Sequence, residues 1–373
     1  MSARTSRLPV TVVTGFLGAG KSTLLRQLLL NSGLRLAVLV NEFGEVGIDG
    51  DLIRSCGFCP EEELDGRVVE LANGCLCCTV QDEFLPTMQT LLERADQLDG
   101  IVVETSGLAL PVPLVQAFGW PEIRTRTRVS GVVTVVDGEA LAAGSVVGDP
   151  AALEAQRLAD PNLDHLSDIQ DLFEDQLEAA DLVLLSRADC LNADQIESLR
   201  AQITGLTREG VSVIPMQRGE VPAALLLGLD RADSHDHPDY DHEHAHGHGH
   251  GHDDHDHDHD HDHDHHHDHD HDHHDHTHVA MQSAVLRWQG AVDRSALEAR
   301  LREQISAQNL LRLKGRAWLP GKPFPLQIQA VGPRLECWFD TSAPGQRPLE
   351  DGVELVALGL SVDGAALELA LRA

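Results

Sequence analysis

The 373-residue sequence contains no apolar run that approaches the ~18 residues of a membrane-spanning helix, which excludes a helical membrane protein. It is poor in cations, with 28 Lys and Arg against 60 Asp and Glu and a formal net charge of −32. A chain so short of positive charge cannot neutralise a phosphate backbone, so nucleic acid is excluded as a main partner. It also lacks a paired set of cysteines. The seven are odd in number, and Cys75, Cys77 and Cys78 fall within four positions. In a reducing compartment that spacing means metal or redox chemistry rather than a disulfide framework. The N-terminal Met-Ser-Ala-Arg-Thr-Ser-Arg-Leu-Pro has no signal-peptide core or cleavage site, and the expected location is the cytoplasm.

The acidity is unevenly spread. Residues 235–278 hold 14 Asp and one Glu with no Lys or Arg, so they account for −15 of the −32 and leave −17 elsewhere. This stretch also carries 22 of the 23 His. It has no apolar face to bury and is expected to be disordered, while its imidazoles and carboxylates offer many weak, exchangeable cation sites. It divides the chain into three parts: residues 1–232, a His/Asp linker over 233–278, and residues 279–373.

In the first part, short continuous apolar runs read as buried strands at Val10–Thr14, Leu36–Val40, Val68–Leu71, Ile101–Val103, Val132–Val136, Leu182–Leu185 and Val211–Ile214. Helical periodicity fills most gaps, clearly at Lys21–Asn31, 81–94, 168–180 and 193–204. The alternation predicts an α/β fold with a doubly wound, mostly parallel sheet covered on both faces. After the linker, a strand at Ala284–Trp288, a helix at 293–305 and strands near 310–319, 325–331 and 334–339 predict a small α+β domain with its own core.

Gly15-Phe-Leu-Gly18-Ala19-Gly20-Lys21-Ser22, followed by Thr23, fits G-x-x-x-x-G-K-[ST] between a strand and a helix, the context a phosphate-binding loop requires. Its glycines let backbone N–H groups wrap phosphates, and the helix N-terminus adds positive partial charge. Lys21 is expected to reach the β- and γ-phosphates and the Ser22 hydroxyl to ligate Mg²⁺. After the fourth apolar run, Glu104-Thr-Ser-Gly107 supplies a carboxylate near Mg²⁺ and a glycine N–H for the γ-phosphate. Ser186-Arg187-Ala188-Asp189 stands where a G protein usually carries Asn-Lys-x-Asp. Asp189 can accept from guanine N1 and N2, and Arg187 can lay its stem and guanidinium along the purine face, which favours GTP over ATP.

Asn73-Gly74 turns the backbone just before Cys75, Cys77 and Cys78. Three thiolates with a fourth group give a tetrahedral site suited to Zn²⁺ or Co²⁺. Cys56-Gly-Phe-Cys59 is either an auxiliary site or a loop with no ligand. Glu42 and Glu45 lie where a switch loop would lie, with Mg²⁺, the thiolate-bound metal or a hydrolytic water as their targets; Glu42 and Glu104 join Lys21 as candidate catalytic groups. His165 is a ligand or a structural residue, and Cys190 and Cys337 read as packing residues.

Thr14-Gly-Phe-Leu-Gly-Ala-Gly-Lys21, Asn41-Glu-Phe-Gly-Glu45, Glu70-Leu-Ala-Asn-Gly-Cys-Leu-Cys-Cys78 and Glu104-Thr-Ser-Gly-Leu-Ala-Leu-Pro111 together resemble the CobW-type family of P-loop GTPases. The resemblance extends through Asp160-Pro-Asn-Leu-Asp-His165, Phe173-Glu-Asp-Gln176, the His-rich linker and Trp318-Leu-Pro-Gly-Lys322. It implies a GTP-hydrolysing metallochaperone, with Cys75, Cys77 and Cys78 as ligands. Its cargo would be Co²⁺ delivered to the subunits of an aerobic cobaltochelatase, or Zn²⁺ in sibling branches. Intrinsic turnover is expected to be slow, since no arginine finger or catalytic Gln can be assigned. A metal reservoir resting on the His tract and a small-molecule kinase sharing the phosphate loop are the competing readings.

Overall fold

A strand that is apolar on both faces is stable only where both faces are covered, and the first sheet is built from such strands. The computed structural model describes residues 7–40, 68–70, 84–159, 169–227, 281–339 and 347–372. Its first sheet contains β1 (Leu8–Thr14), β2 (Leu36–Val40), β3 (Val68–Glu70), β4 (Gly100–Glu104), β5 (Thr127–Asp137), β6 (Leu182–Ser186) and β7 (Ser212–Pro215). The order is β3-β2-β4-β1-β5-β6-β7 and every pairing is parallel, so the expected sheet is wholly rather than mostly parallel.

Helices cover both faces. On one, Phe84, Met88, Leu91 and Leu92 pack with Leu114 and Phe118 over β1, β2 and β4. Over β5, β6 and β7, Leu172, Phe173 and Leu177 of helix Ile169–Glu178 pack with Leu199 and Ile203 of helix Ala193–Thr204. The other face receives Leu24, Leu25 and Leu28 of α1 (Lys21–Asn31). Helix Ala193–Thr204 starts where its sequence says it should: Asn192 accepts from Gln195 N at 2.9 Å and Gln195 returns the bond at 3.0 Å, a capping box.

The second sheet is antiparallel, ordered β11-β10-β9-β12-β8 from β8 (Gln282–Gln289), β9 (Leu310–Trp318), β10 (Leu326–Val331), β11 (Arg334–Phe339) and β12 (Gly352–Gly359). Helices Arg294–Ala307 and Gly364–Arg372 bury Leu297, Leu301, Ile305, Leu367 and Leu371 against it, giving this domain its own core. β12 and the last helix were not anticipated. Gly-Val-Glu-Leu-Val-Ala-Leu-Gly is a short apolar run whose periodicity does not separate strand from helix.

β5 is eleven residues long and buried throughout, against the five expected from its apolar run. Its polar first half, Thr127 to Gly131, is covered by the C-terminal domain. Arg128 is buried over the Trp338 ring at 4.9 Å, and burial pushes its guanidinium down to about 10, with Glu336 opposing and Arg7 adding to the shift. A bulge at Ser130 precedes Gly131, where any Cβ would sit 3.1 Å from Val331. Asp181, fully buried before β6, accepts from Val132 N at 2.9 Å and from Arg208 at 2.7 Å, and pairs with Arg334 of the C-terminal domain. Among the described residues no helix is long and apolar enough to cross a membrane.

Candidate functional site

The C-terminal ends of β1, β4, β5 and β6 lie side by side, and each delivers one polar group. At the end of β1 the loop turns through glycines with positive φ: Gly15 (+137°), Gly18 (+76°) and Gly20 (+102°). A Cβ on Gly15 would meet the Val135 carbonyl oxygen at 2.2 Å, so that position admits only glycine. Gly20 caps α1 with no side-chain bond to the helix N–H groups, and the first turn contains no acidic residue. A helix N-terminus with no side-chain cap and no acidic residue suits an anion, so the loop fits a triphosphate. Ala19 and Lys21 are buried, Ser22 is half-buried and Thr23 is exposed. The Lys21 ammonium donates to the carbonyls of Gly15 at 2.8 Å and Phe16 at 3.1 Å and lies 3.9 Å from Glu104 Oε1.

Glu104 ends β4 in register with Val13 of β1. The next residue is tied to β1 twice: Thr105 N donates to the Val13 carbonyl at 2.9 Å, and its hydroxyl to Thr14 Oγ1 at 2.8 Å. Gly107 then lies so close to the phosphate loop that a Cβ would stand 2.7 Å from Leu17 N. Lys21, Glu104 and Gly107 are thus brought together.

At the end of β6 Ser186 is buried, and Arg187 sits in the left-handed region at φ +53°. Its guanidinium reaches Asp137 Oδ2 at 2.9 Å and Glu139 Oε2 at 3.4 Å, and donates to the Gly18 carbonyl at 3.2 Å. The charged end thus braces the phosphate loop, drawn there by two carboxylates, where the sequence reading lays it along a purine face. Asp189 is exposed in the Ala188–Cys190 turn. Cys190 is exposed there too rather than packed, because that short turn of 3₁₀ helix stands at the surface. Cys337 is half-buried against the C-terminal core, as expected, and its thiol is pushed up to about 12 by burial, with Glu298 adding to the shift and Arg294 and Arg302 opposing it.

Two residues at this edge were not assigned roles from sequence. Asp137 closes β5, accepts from Ala140 N at 3.1 Å and receives Arg187; an Asp between an apolar strand and Gly-Glu-Ala is a readable N-cap signal. Gln176 lies in the buried stripe of Leu172, Phe173 and Leu177, where a polar residue stands out. Its Nε2 donates to the carbonyls of Gly107 at 3.1 Å and Ala109 at 3.2 Å.

Among the described residues no three or more His, Cys, Asp or Glu side chains gather as a metal site. Glu42, Glu45, Cys56, Cys59, Cys75, Cys77, Cys78, His165 and the 235–278 tract lie outside the described residues. What the described backbone fixes is where the neighbouring strands end. Val40 pairs with Glu70 on one side and Glu104 on the other, so the strands preceding the Glu42 and Cys75 segments end at the same edge as β4.

A parallel sheet whose first strand runs through G-x-x-x-x-G-K-S into a helix, with a carboxylate from β4 beside the lysine, defines a P-loop nucleoside triphosphatase. Residues 9–213 match the model of the CobW/HypB/UreG nucleotide-binding domain, and residues 281–373 that of the "cobalamin synthesis protein cobW C-terminal domain". The chain belongs to the CobW/HypB/UreG family of metallochaperone GTPases and is a GTPase. It is 48% identical to a Pseudomonas aeruginosa protein named zinc chaperone CobW, over 98% of this chain and 91% of that one. A Sinorhizobium protein of the same name is 43% identical over 100% of this chain and 98% of its own. Zinc-bound YjiA GTPase from Escherichia coli aligns over 98% of each chain at 22% identity, with a TM-score of 0.38.

Proposed function

We propose that this GTPase is a metallochaperone whose cargo ion is held by the thiolates of Cys75, Cys77 and Cys78 and released when GTP is hydrolysed. The proposed boundaries are 1–232 for the GTPase domain, 233–278 for a His/Asp linker that concentrates cations, and 279–373 for the C-terminal domain. Lys21 would exchange its bonds to the Gly15 and Phe16 carbonyls for β- and γ-phosphate oxygens. Ser22 and Glu104 would hold Mg²⁺, with Glu42 as a further candidate carboxylate. Bound there, Mg²⁺ supplies charge neutralisation on the phosphates. The Gly107 N–H would read the γ-phosphate, and Asp189 the guanine edge. The protein is proposed to act in the cytoplasm.

The observation that carries this reading is the shared sheet edge: the phosphate loop, Glu104 and the strands preceding the Glu42 and Cys75 segments all end there. On this reading a γ-phosphate bound at that edge biases both segments. Swinging a two-state element from nearly all open to nearly all closed takes ~5.5 kcal/mol of differential binding, which phosphate and Mg²⁺ contacts can supply. Zn²⁺ is the first reading for the cargo, since two relatives that align over almost the whole chain are named zinc chaperones. Co²⁺ for a cobaltochelatase is the second, carried by the C-terminal family model's cobalamin-synthesis description.

The test is a competitive Zn²⁺ and Co²⁺ titration with GDP and with a non-hydrolysable GTP analogue bound, in the parent and in Cys77→Ala. Tighter metal binding in the analogue state, lost in Cys77→Ala while nucleotide affinity holds, is the expected result. Equal affinities in the two nucleotide states would end the proposal.

A further inference from the structure

We infer that Gln176 is a positioning residue for GTP hydrolysis, its carboxamide fixing the Glu104–Gly107 turn against the phosphate loop through the Gly107 carbonyl. The inference rests on reading that turn as the γ-phosphate contact. Gln176 is fully buried, and its Nε2 spends both hydrogens on main-chain carbonyls of one turn, those of Gly107 and Ala109. Its Oε1 is buried with no partner among the described residues. Burying an amide oxygen without a donor is costly, and an apolar side chain would instead remove the donors to the Gly107 and Ala109 carbonyls. What the amide supplies in return is its grip on the turn, two bonds to the main chain of one short segment.

The helix that carries Gln176 is fixed beneath both nucleotide loops. Phe173, one turn earlier, stacks on Phe16 of the phosphate loop, with ring centroids 6.0 Å apart and planes 16° apart. The Gln176 carbonyl accepts from the Thr134 hydroxyl of β5 at 3.1 Å, and Arg208 donates to the carbonyls of Glu178 and Ala180 at 2.7 Å each. Gly107 has no room to retreat toward the phosphate loop, where Leu17 N is already in contact range of a Cβ. With one side blocked and its carbonyl held from the other, the glycine presents its N–H in one direction. A glycine without that restraint is free to turn.

The experiment uses the full chain and compares the parent with Gln176→Met, which keeps an unbranched side chain and removes both donors. The measurements are kcat and KM for GTP, with affinities for GDP and for a non-hydrolysable GTP analogue. The expected result is a fall in kcat of about tenfold, the scale of losing one or two such bonds in the transition state. Analogue affinity falls with it, while GDP affinity stays within about twofold. Thr134→Val removes a bond to the same helix without touching the turn, and is expected to leave the analogue-to-GDP ratio unchanged. Gln176→Glu supplies one donor only when protonated, so its kcat is expected to recover as pH falls from about 8 to about 6.

An unchanged kcat and ratio in Gln176→Met overturns the inference, as does a proportional loss of both nucleotides. If Gln176→Met does not fold, the absence of acid recovery in Gln176→Glu overturns it. A parent that hydrolyses GTP, with no split between GTP and GDP among the variants, separates failure here from failure of the wider reading.

Discussion

Gly107→Ala is the sharpest test of the site, because the perturbation is one methyl group and its surroundings are main chain. The added carbon would lie 2.7 Å from Leu17 N and 3.3 Å from Leu17 Cα and the Phe16 carbonyl carbon. Ordinary contact begins at 3.4 Å, so the turn or the loop must give by about 0.7 Å at the tightest point. The yielding side matters little. If the turn moves away, the 3.1 Å bond from Gln176 to the Gly107 carbonyl is compressed or skewed. If the loop moves, the 3.9 Å approach of Lys21 to Glu104 opens. Overpacking of this kind costs ~1–3 kcal/mol, and 1.4 kcal/mol is a factor of ten. The expected loss in kcat/KM for GTP is therefore about five- to a hundredfold, with GDP affinity changed far less, because GDP has no γ-phosphate to meet the turn. Phosphate release under steady state, with fluorescent GDP and analogue titrations, reads both. A folded Gly107→Ala protein with kcat/KM within about twofold of the parent would refute the placement of this turn beside the reacting phosphate.

Three further predictions concern the C-terminal domain and the residues that meet or contrast with it. Cys337, held up to about 12 by burial, stays a thiol through the physiological range and is expected to resist alkylation at pH 8 while exposed Cys190 is modified, as peptide mass spectrometry would show. Because burial lifts its folded pKa above the ordinary thiol value of 9.0, its contribution to stability is full below pH 9 and is lost as pH rises toward 12; a denaturation midpoint that held constant over that window in a Cys337→Ala comparison would contradict this. Asp181→Ala strips a buried acceptor from Val132 N and the partner from Arg208 and Arg334; the arginines are partly exposed and discounted for solvent, which leaves about 2–4 kcal/mol of destabilisation, measurable by urea unfolding.

The nucleotide half of the fold was legible because its signals are local. Buried parallel strands announce themselves as apolar runs, and β2, α1 and helix Ala193–Thr204 appear at the boundaries their sequences imply. The phosphate loop was legible because its residues are contiguous. What escaped depends on partners far along the chain. The first half of β5 looks polar until Trp338 covers Arg128 and Val331 meets Gly131. Arg187 reads as a base-stacking residue until Asp137, fifty positions earlier, captures its guanidinium. Gln176 reads as a helix residue of no special role until Gly107 and Ala109, nearly seventy positions earlier, arrive beneath it. The thiolate loop and the His tract remain sequence-level assignments, since both lie outside the described residues.

The distribution of these contacts constrains where a nucleotide-driven change can travel. Asp181 and Ser186 stand at opposite ends of β6, about 16 Å apart at the usual rise per residue. The strand between them is buried throughout, as is β5 beside it. A close-packed interior resists gradual bending, so the sheet is a poor conductor from the nucleotide edge to the C-terminal domain docked at Asp181. Helix Ile169–Glu178 touches both ends, but it is pinned: Phe173 and Gln176 hold one part, and Arg208 clamps the carbonyls of Glu178 at its end and Ala180 just beyond. The helix is then a fixed surface that holds the turn after β4, so under the proposed function the change is confined to the other loops of the nucleotide edge. The Asp181→Ala variant decides between these routes. Confinement to the loops requires that kcat/KM per folded molecule stay within about twofold of the parent despite the lost stability. A change in GTP-over-GDP preference in that variant would instead show that the docked domain is coupled to the nucleotide through this helix.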